Sequence, residues 1–206
     1  MDASSGMVVA AGISSRGILM ATGLIPLVGL LLWAGWSDAR THRIPNRLVF
    51  SGTALAVLLH MLLPSGYGFL FIVPGGLGLL GALKGLAIGL IAMLPLYLMR
   101  ALGAGDVKLM AMVGAFLGPD DILPAVVGAY AVGGLLSFAL ALRAGAGMQM
   151  VRNLGYMVRM TALKLPLPGA LVIEPPPQSV GSVPYGVAIA LGTTLAMIWV
   201  ALRAAG

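Results

Sequence analysis

Leu102-Gly103-Ala104-Gly105-Asp106-Val107-Lys108-Leu109 sets a carboxylate between two apolar runs. An unneutralised charge is costly there and marks a candidate functional site. Asp106 is one of only six acidic residues in a chain of 206. The small residues beside it let backbone, its own or that of a bound chain, come close. A second carboxylate, Asp38, stands near the start of the most polar window, Ser37-Asp38-Ala39-Arg40-Thr41-His42-Arg43-Ile44-Pro45-Asn46-Arg47. Two carboxyls that share a site ionise one at a time, because the first charge opposes the second. Such a pair can hold a water, one group taking its proton while the other donates one to a carbonyl. Other chemistries lack residues. There is no cysteine, and the two histidines are His42 in the polar window and His60 inside an apolar run. That leaves no Ser/His/Asp set, no thiolate and no third metal ligand, so neither a metal nor a cofactor is expected.

The elements that must position these carboxylates are read from composition and apolar run length. Hydrophobic residues make up 60% of the chain and charged residues 9%, against about 25% charged in soluble domains. The mean hydropathy is +1.04. The fold class expected is all-α: a polytopic membrane protein of about six transmembrane helices plus an interfacial basic amphipathic helix. The net charge of +6 comes from basic residues scattered at the ends of apolar segments. They form no stripe interleaved with aromatics, which argues for membrane lipids and against nucleic acid as partner.

Residues 1–16 lack a basic n-region and fit a cleavable signal peptide poorly. Spans are expected at about 17–36, 48–63, 85–99, 106–118, 122–142 and 185–202, all in one membrane-embedded domain. Trp33 and Trp36 suit the interfacial belt at the end of the first. Pro45 interrupts any helix in the polar window and Asn46 favours a turn or cap. Residues 69–83, broken by Pro74-Gly75-Gly76, read as an irregular or re-entrant connection. Residues 143–165 read as a basic interfacial helix, and 167–184 as a Pro-rich loop. Together 143–184 form one cytoplasmic segment.

Counting Lys and Arg orients these spans. With the 37–47 loop in the cytoplasm, Arg40, Arg43, Arg47, Arg100, Lys108, Arg143, Arg152, Arg159 and Lys164 lie inside. Arg16, Lys84 and Arg203 lie outside, so the positive-inside rule is met nine against three. Both termini are then expected outside, with Asp38 and Asp106 on one cytoplasmic face.

Three ordered elements carry a resemblance. Gly103-Ala104-Gly105-Asp106-Val107-Lys108, Asp38 followed by Arg43-Ile44-Pro45-Asn46, and Pro184-Tyr185-Gly186-Val187-Ala188-Ile189 resemble motifs of the type IV prepilin peptidases, GxGD-type membrane aspartyl proteases. The resemblance covers roughly residues 20–203. It implies that Asp38 and Asp106 are catalytic, with Gly103, Gly105, Lys108, Arg43, Pro45, Asn46, Pro184, Tyr185 and Gly186 in support. It implies as substrate a prepilin or pseudopilin precursor with a short basic leader, cleaved after Gly ahead of a hydrophobic helix. The location implied is the cytoplasmic membrane of a bacterium or archaeon. Long members carry an N-terminal insert with paired Cys-x-x-Cys motifs and methylate the new N-terminus. With about 20 residues before the first span and no cysteine, this chain resembles the short, protease-only members, including those serving Flp/Tad-type pili. Methyltransferase activity is not implied.

Plainer readings stand beside these. Asp106 alone reads equally as a helix cap, and Asp38 as an ion-pair partner of Arg40 or Arg43. Asp120 and Asp121 read as caps on the opposite membrane face, Glu174 as solvated, and Lys108 as a headgroup-level cation. The basic residues of 143–165 suit anionic lipid better than a basic leader. A proton- or ion-coupled transporter using the same aspartates is the alternative from another class. No internal repeat supports it, and its sites would sit near mid-membrane. A signal-peptide-peptidase-like enzyme would need a Tyr-Asp pair inside a span and a late Pro-Ala-Leu, neither of which stands in the required place.

Overall fold

Lipid offers no hydrogen bonds, so a chain this apolar satisfies its backbone within helices. The computed structural model describes residues 3–70, 74–149, 151–152, 155–156, 159 and 184–205. Among them run five long helices: α1 (Ala3–Thr41), α2 (Asn46–Leu62), α3 (Gly78–Leu98), α4 (Ala104–Arg143) and α5 (Tyr185–Ala205). Four contain stretches long and apolar enough to cross a membrane, and α2 is a shorter apolar helix. The protein is an all-helical, multi-pass membrane protein.

At 40 residues α4 is twice the length of one crossing, about 20 residues. It breaks at Gly118, whose φ of 81° and ψ of −179° leave helical space. Pro119 follows and has no N–H to return to the preceding turn. The two limbs run in opposite directions. On the first, 104–117, Gly114 meets Gly85 and Met110 meets Gly89 of α3. The second, 119–143, doubles back. Asp121 starts beside Gly68, at the level of Leu117. The Tyr130 hydroxyl then donates to the Ala92 carbonyl of α3, and Gly133 lies against the Tyr185 ring of α5. The kink therefore divides α4 into a short first limb, 104–117, and a longer second limb, where the sequence reading expects two spans.

The first limb is the centre of the bundle. From Asp106 to Gly118 every residue except Lys108 is buried, as expected of a helix apolar on all sides. Around it pack Leu27, Leu31 and Ala34 of α1, Leu48, Val49 and Ala56 of α2, Met93 of α3, and Ile189 and Met197 of α5. Lipid tails are as apolar as leucine, so close backbone approach replaces the hydrophobic drive. Gly85 against Gly114 and Gly128 against Gly192 provide it.

Three boundaries differ from the sequence reading. Helix α1 continues past Trp36 to Thr41, and α3 begins at Gly78, well before residue 85. The irregular connection is therefore described over 63–70 and 74–77, which meet through bridges Ser65–Gly76 and Gly68–Gly75. Its Phe69 ring stacks on His60 with centroids 4.6 Å apart. In the basic segment the described residues 147–149, 151–152, 155–156 and 159 are helical, with Arg152 and Arg159 exposed. Lys164, Glu174 and most of the Pro-rich loop lie outside the described residues.

Candidate active site at one end of the bundle

Asp38 lies on the last turn but one of α1, 6% exposed. Local polar bonds carry the helix through this window. The Thr41 hydroxyl donates to the Ser37 carbonyl at 2.8 Å, and the His42 N–H closes on the Asp38 carbonyl at 2.9 Å. His42 then takes a left-handed φ of 49°, and Pro45 caps α2 in extended conformation. The Arg43 carbonyl accepts from Ser37 at 2.9 Å and from Thr41 at 3.3 Å, tying the turn back onto α1. Arg40, Arg43 and Arg47 are exposed. The Arg40 guanidinium lies 4.0 Å over the Trp36 ring, so it packs on an aromatic.

Asp106 sits in the first turn of α4, 8% exposed. Its Oδ2 accepts from the N–H of the capping residue Gly103 at 3.0 Å, the returning half of a capping box. Cap and candidate catalyst are thus the same carboxyl, one oxygen serving the helix end. Asp38 does the same for a different helix: its Oδ2 accepts from Gly186 N–H at 2.6 Å. Gly186 is the second residue of α5, just after Tyr185, so Asp38 satisfies an orphan N–H at a helix N-terminus, where the helix dipole also favours a carboxylate. A Cβ at Gly186 would stand 2.9 Å from the Asp38 Cβ and Oδ2. Only glycine fits there.

The two carboxyls lie close enough to interact electrostatically, and so do Tyr185 and Asp106. The half-buried Tyr185 rests on Gly133 of the second limb. Beside them Lys108 Nζ donates to Asn46 Oδ1 at 3.2 Å and sits 5.7 Å from the Phe50 ring centroid. Gly105 packs against Ile44. Of the residues picked from sequence, Asp38, Asp106, Gly103, Gly105, Lys108, Pro45, Asn46, Pro184, Tyr185 and Gly186 all gather at this end of the bundle. Arg43 contributes its carbonyl, with the side chain exposed. Ile44 as a packing partner, Tyr130 and Gly133 were not singled out. A lone tyrosine three residues before a glycine inside an apolar span was the one signal available for the last two.

His60 and Asp121 lie at the other end. His60 Nδ1 accepts from Leu77 N–H at 3.1 Å, which leaves Nε2 to donate to the Phe116 carbonyl at 3.0 Å. This histidine is a cross-link between α2, the connection and the first limb. Asp121 is buried and Asp120 exposed at the start of the second limb, as helix-start carboxylates.

Residues 25–138 match the model of the type IV leader peptidase family. The chain belongs to the type IV leader peptidase family. Comparison with curated proteins finds no match, and comparison with solved structures finds none. Membership makes this multi-pass membrane protein a peptidase, a hydrolase whose substrates are of the prepilin type. The matched region contains both Asp38 and Asp106. Tyr185 and Gly186 lie beyond it and are tied to it by the Gly186–Asp38 hydrogen bond.

Proposed function

We propose that this leader peptidase is an aspartic-type endopeptidase in which Asp38 and Asp106 activate a water at the cytoplasmic membrane face. It removes the short basic leader of a prepilin or pseudopilin precursor, cutting after glycine. The observation that carries this reading is the pair itself: two buried carboxyls from separate helices at one end of the bundle, each with one oxygen held by a glycine N–H. Holding one oxygen fixes each carboxyl's orientation and leaves the other for water or substrate.

The ionised member takes a proton from water as the oxygen attacks the scissile carbonyl carbon. The protonated member donates its proton to the carbonyl oxygen. The tetrahedral intermediate collapses as the C–N bond breaks and a proton passes to the leaving nitrogen. The leader keeps a new carboxyl terminus, and the mature chain starts with a free amine. The pair acts as a unit, so removing either carboxyl removes the reaction.

Co-expression with a prepilin-type precursor tests this. Asp38→Asn and Asp106→Asn should each lower the cleavage rate by at least ~10²–10⁴-fold, the usual size of acid–base catalysis, while both variants still insert in the membrane. Full processing by either one would overturn the proposal.

A further inference from the structure

Asp38 and Asp106 stand on different helices, so something must hold the two carboxyls at a working separation. Each belongs to a small rigid unit. Asp38 is locked to the 42–45 turn by three bonds: His42 N–H to the Asp38 carbonyl at 2.9 Å, Ser37 to the Arg43 carbonyl at 2.9 Å and Thr41 to the same carbonyl at 3.3 Å. The turn leads directly into Asn46. Asp106 stands in the first turn of α4 with Gly105, and Lys108 follows two residues on. Two contacts join these units. The half-buried Ile44 packs on Gly105, where an added Cβ would come 3.3 Å from the Ile44 Cβ. Lys108 Nζ donates to Asn46 Oδ1 at 3.2 Å, its ammonium 5.7 Å from the Phe50 centroid.

We infer that these two contacts form a clamp that sets the distance between the aspartates, with Asn46 and Lys108 as positioning residues. The inference rests on the reading of Asp38 and Asp106 as the catalytic pair. Ile44 is the apolar stop: with no side chain at Gly105, the turn seats directly on the α4 backbone. The Lys108–Asn46 bond is the tether that keeps α2 from sliding along that seat. The bond also occupies the ammonium at the outer edge of the site. Lys108 lies two residues from Asp106 in a helix, a spacing at which side chains do not face each other. Its influence on the pair therefore runs through Asn46 and the turn.

The test compares Asn46→Ala, Lys108→Met and their double variant on a synthetic precursor with a basic leader, a glycine and an apolar helical stretch. Each single variant should lower kcat by roughly two- to fivefold, the size of one solvent-exposed charged contact, with KM unchanged. The double variant should be no slower than either single one, and Asn46→Asp, which keeps the acceptor, should retain activity. A raised KM for Lys108→Met alone would make Lys108 a substrate contact and overturn the clamp. So would additive losses.

The chain has no cysteine, which permits a second measurement. Cβ atoms in disulfides lie about 3.5–4.5 Å apart, close to the Ile44–Gly105 spacing. In an Ile44→Cys/Gly105→Cys/Lys108→Met variant, the oxidised form should cleave faster than the reduced form, because the disulfide replaces the tether. Equal rates overturn the inference. Asp38→Asn and Asp106→Asn run in the same assay separate the two proposals. If they stay active, the catalytic pair is wrong. If they are dead while the Asn46 and Lys108 variants match the parent, only the clamp fails.

Discussion

Asp38 and Asp106 occupy equivalent chemical settings although they come from different helices. Each is buried, each meets a helix N-terminus (Asp106 that of its own α4, Asp38 that of α5), and each accepts a glycine N–H through Oδ2. Such a hydrogen bond to a charged acceptor is worth about 1.5–3 kcal/mol, enough to hold one rotamer against the alternatives. Gly186 is the more exacting of the two donors, because its Cα side faces the carboxyl it binds. Gly186→Ala would place a methyl 2.9 Å from Asp38 Oδ2 and push the N–H and the carboxyl apart. Cleavage by this variant should fall by about tenfold or more, the equivalent of losing that bond, with the protein still inserted and helical. Unchanged kcat would mean that the start of α5 plays no part in orienting Asp38.

At the scale of elements, the kink in α4 does most to build the site. The first limb carries Asp106, and the second returns Tyr130 and Gly133 to the same end, where Gly133 seats Tyr185. A left-handed φ at Gly118 makes this reversal possible. Alanine there meets a strained backbone and the Leu77 side chain at once. Gly118→Ala should therefore destabilise the protein by about 1–3 kcal/mol, read as a lower midpoint of thermal unfolding in detergent. An unchanged midpoint would show that the two limbs can rejoin without the kink. At the opposite end the paired segments 63–70 and 74–77 are pinned by His60 between Leu77 and Phe116.

At the scale of the whole molecule, the helices bring the catalytic candidates to one end and the connection with Asp120 and Asp121 to the other. Aromatic–basic pairs mark the two ends: Arg40 over Trp36, and Arg203 over Trp199 at 3.8 Å, as suits headgroup depth. The charge bias predicts that the aspartate end faces the cytoplasm. Because the chain is cysteine-free, single cysteines report sidedness cleanly. Ala39→Cys should react with a membrane-impermeant thiol reagent only from the cytoplasmic side, and Ser65→Cys only from the other. Labelling of both from one side would refute the orientation.

By itself the sequence determined the all-helical membrane class, the two carboxylates and the order of the three motifs. These are local properties: run length, charge placement and residue type act within a few turns of one helix. It also marked Gly118-Pro119 as a break, so two spans were legible where the helix is nominally continuous. The extension of α1 to Thr41 was less legible, because a polar window reads as loop unless its hydroxyls are known to bond back to the helix. Only the tertiary structure decided that Asp38 caps α5, that Ile44 seats on Gly105 and that Asn46 holds Lys108. Those contacts depend on the rotation and depth at which helices pack. Packing is set by small residues meeting across separate segments, Gly85 with Gly114 and Gly128 with Gly192, and no single segment contains that information.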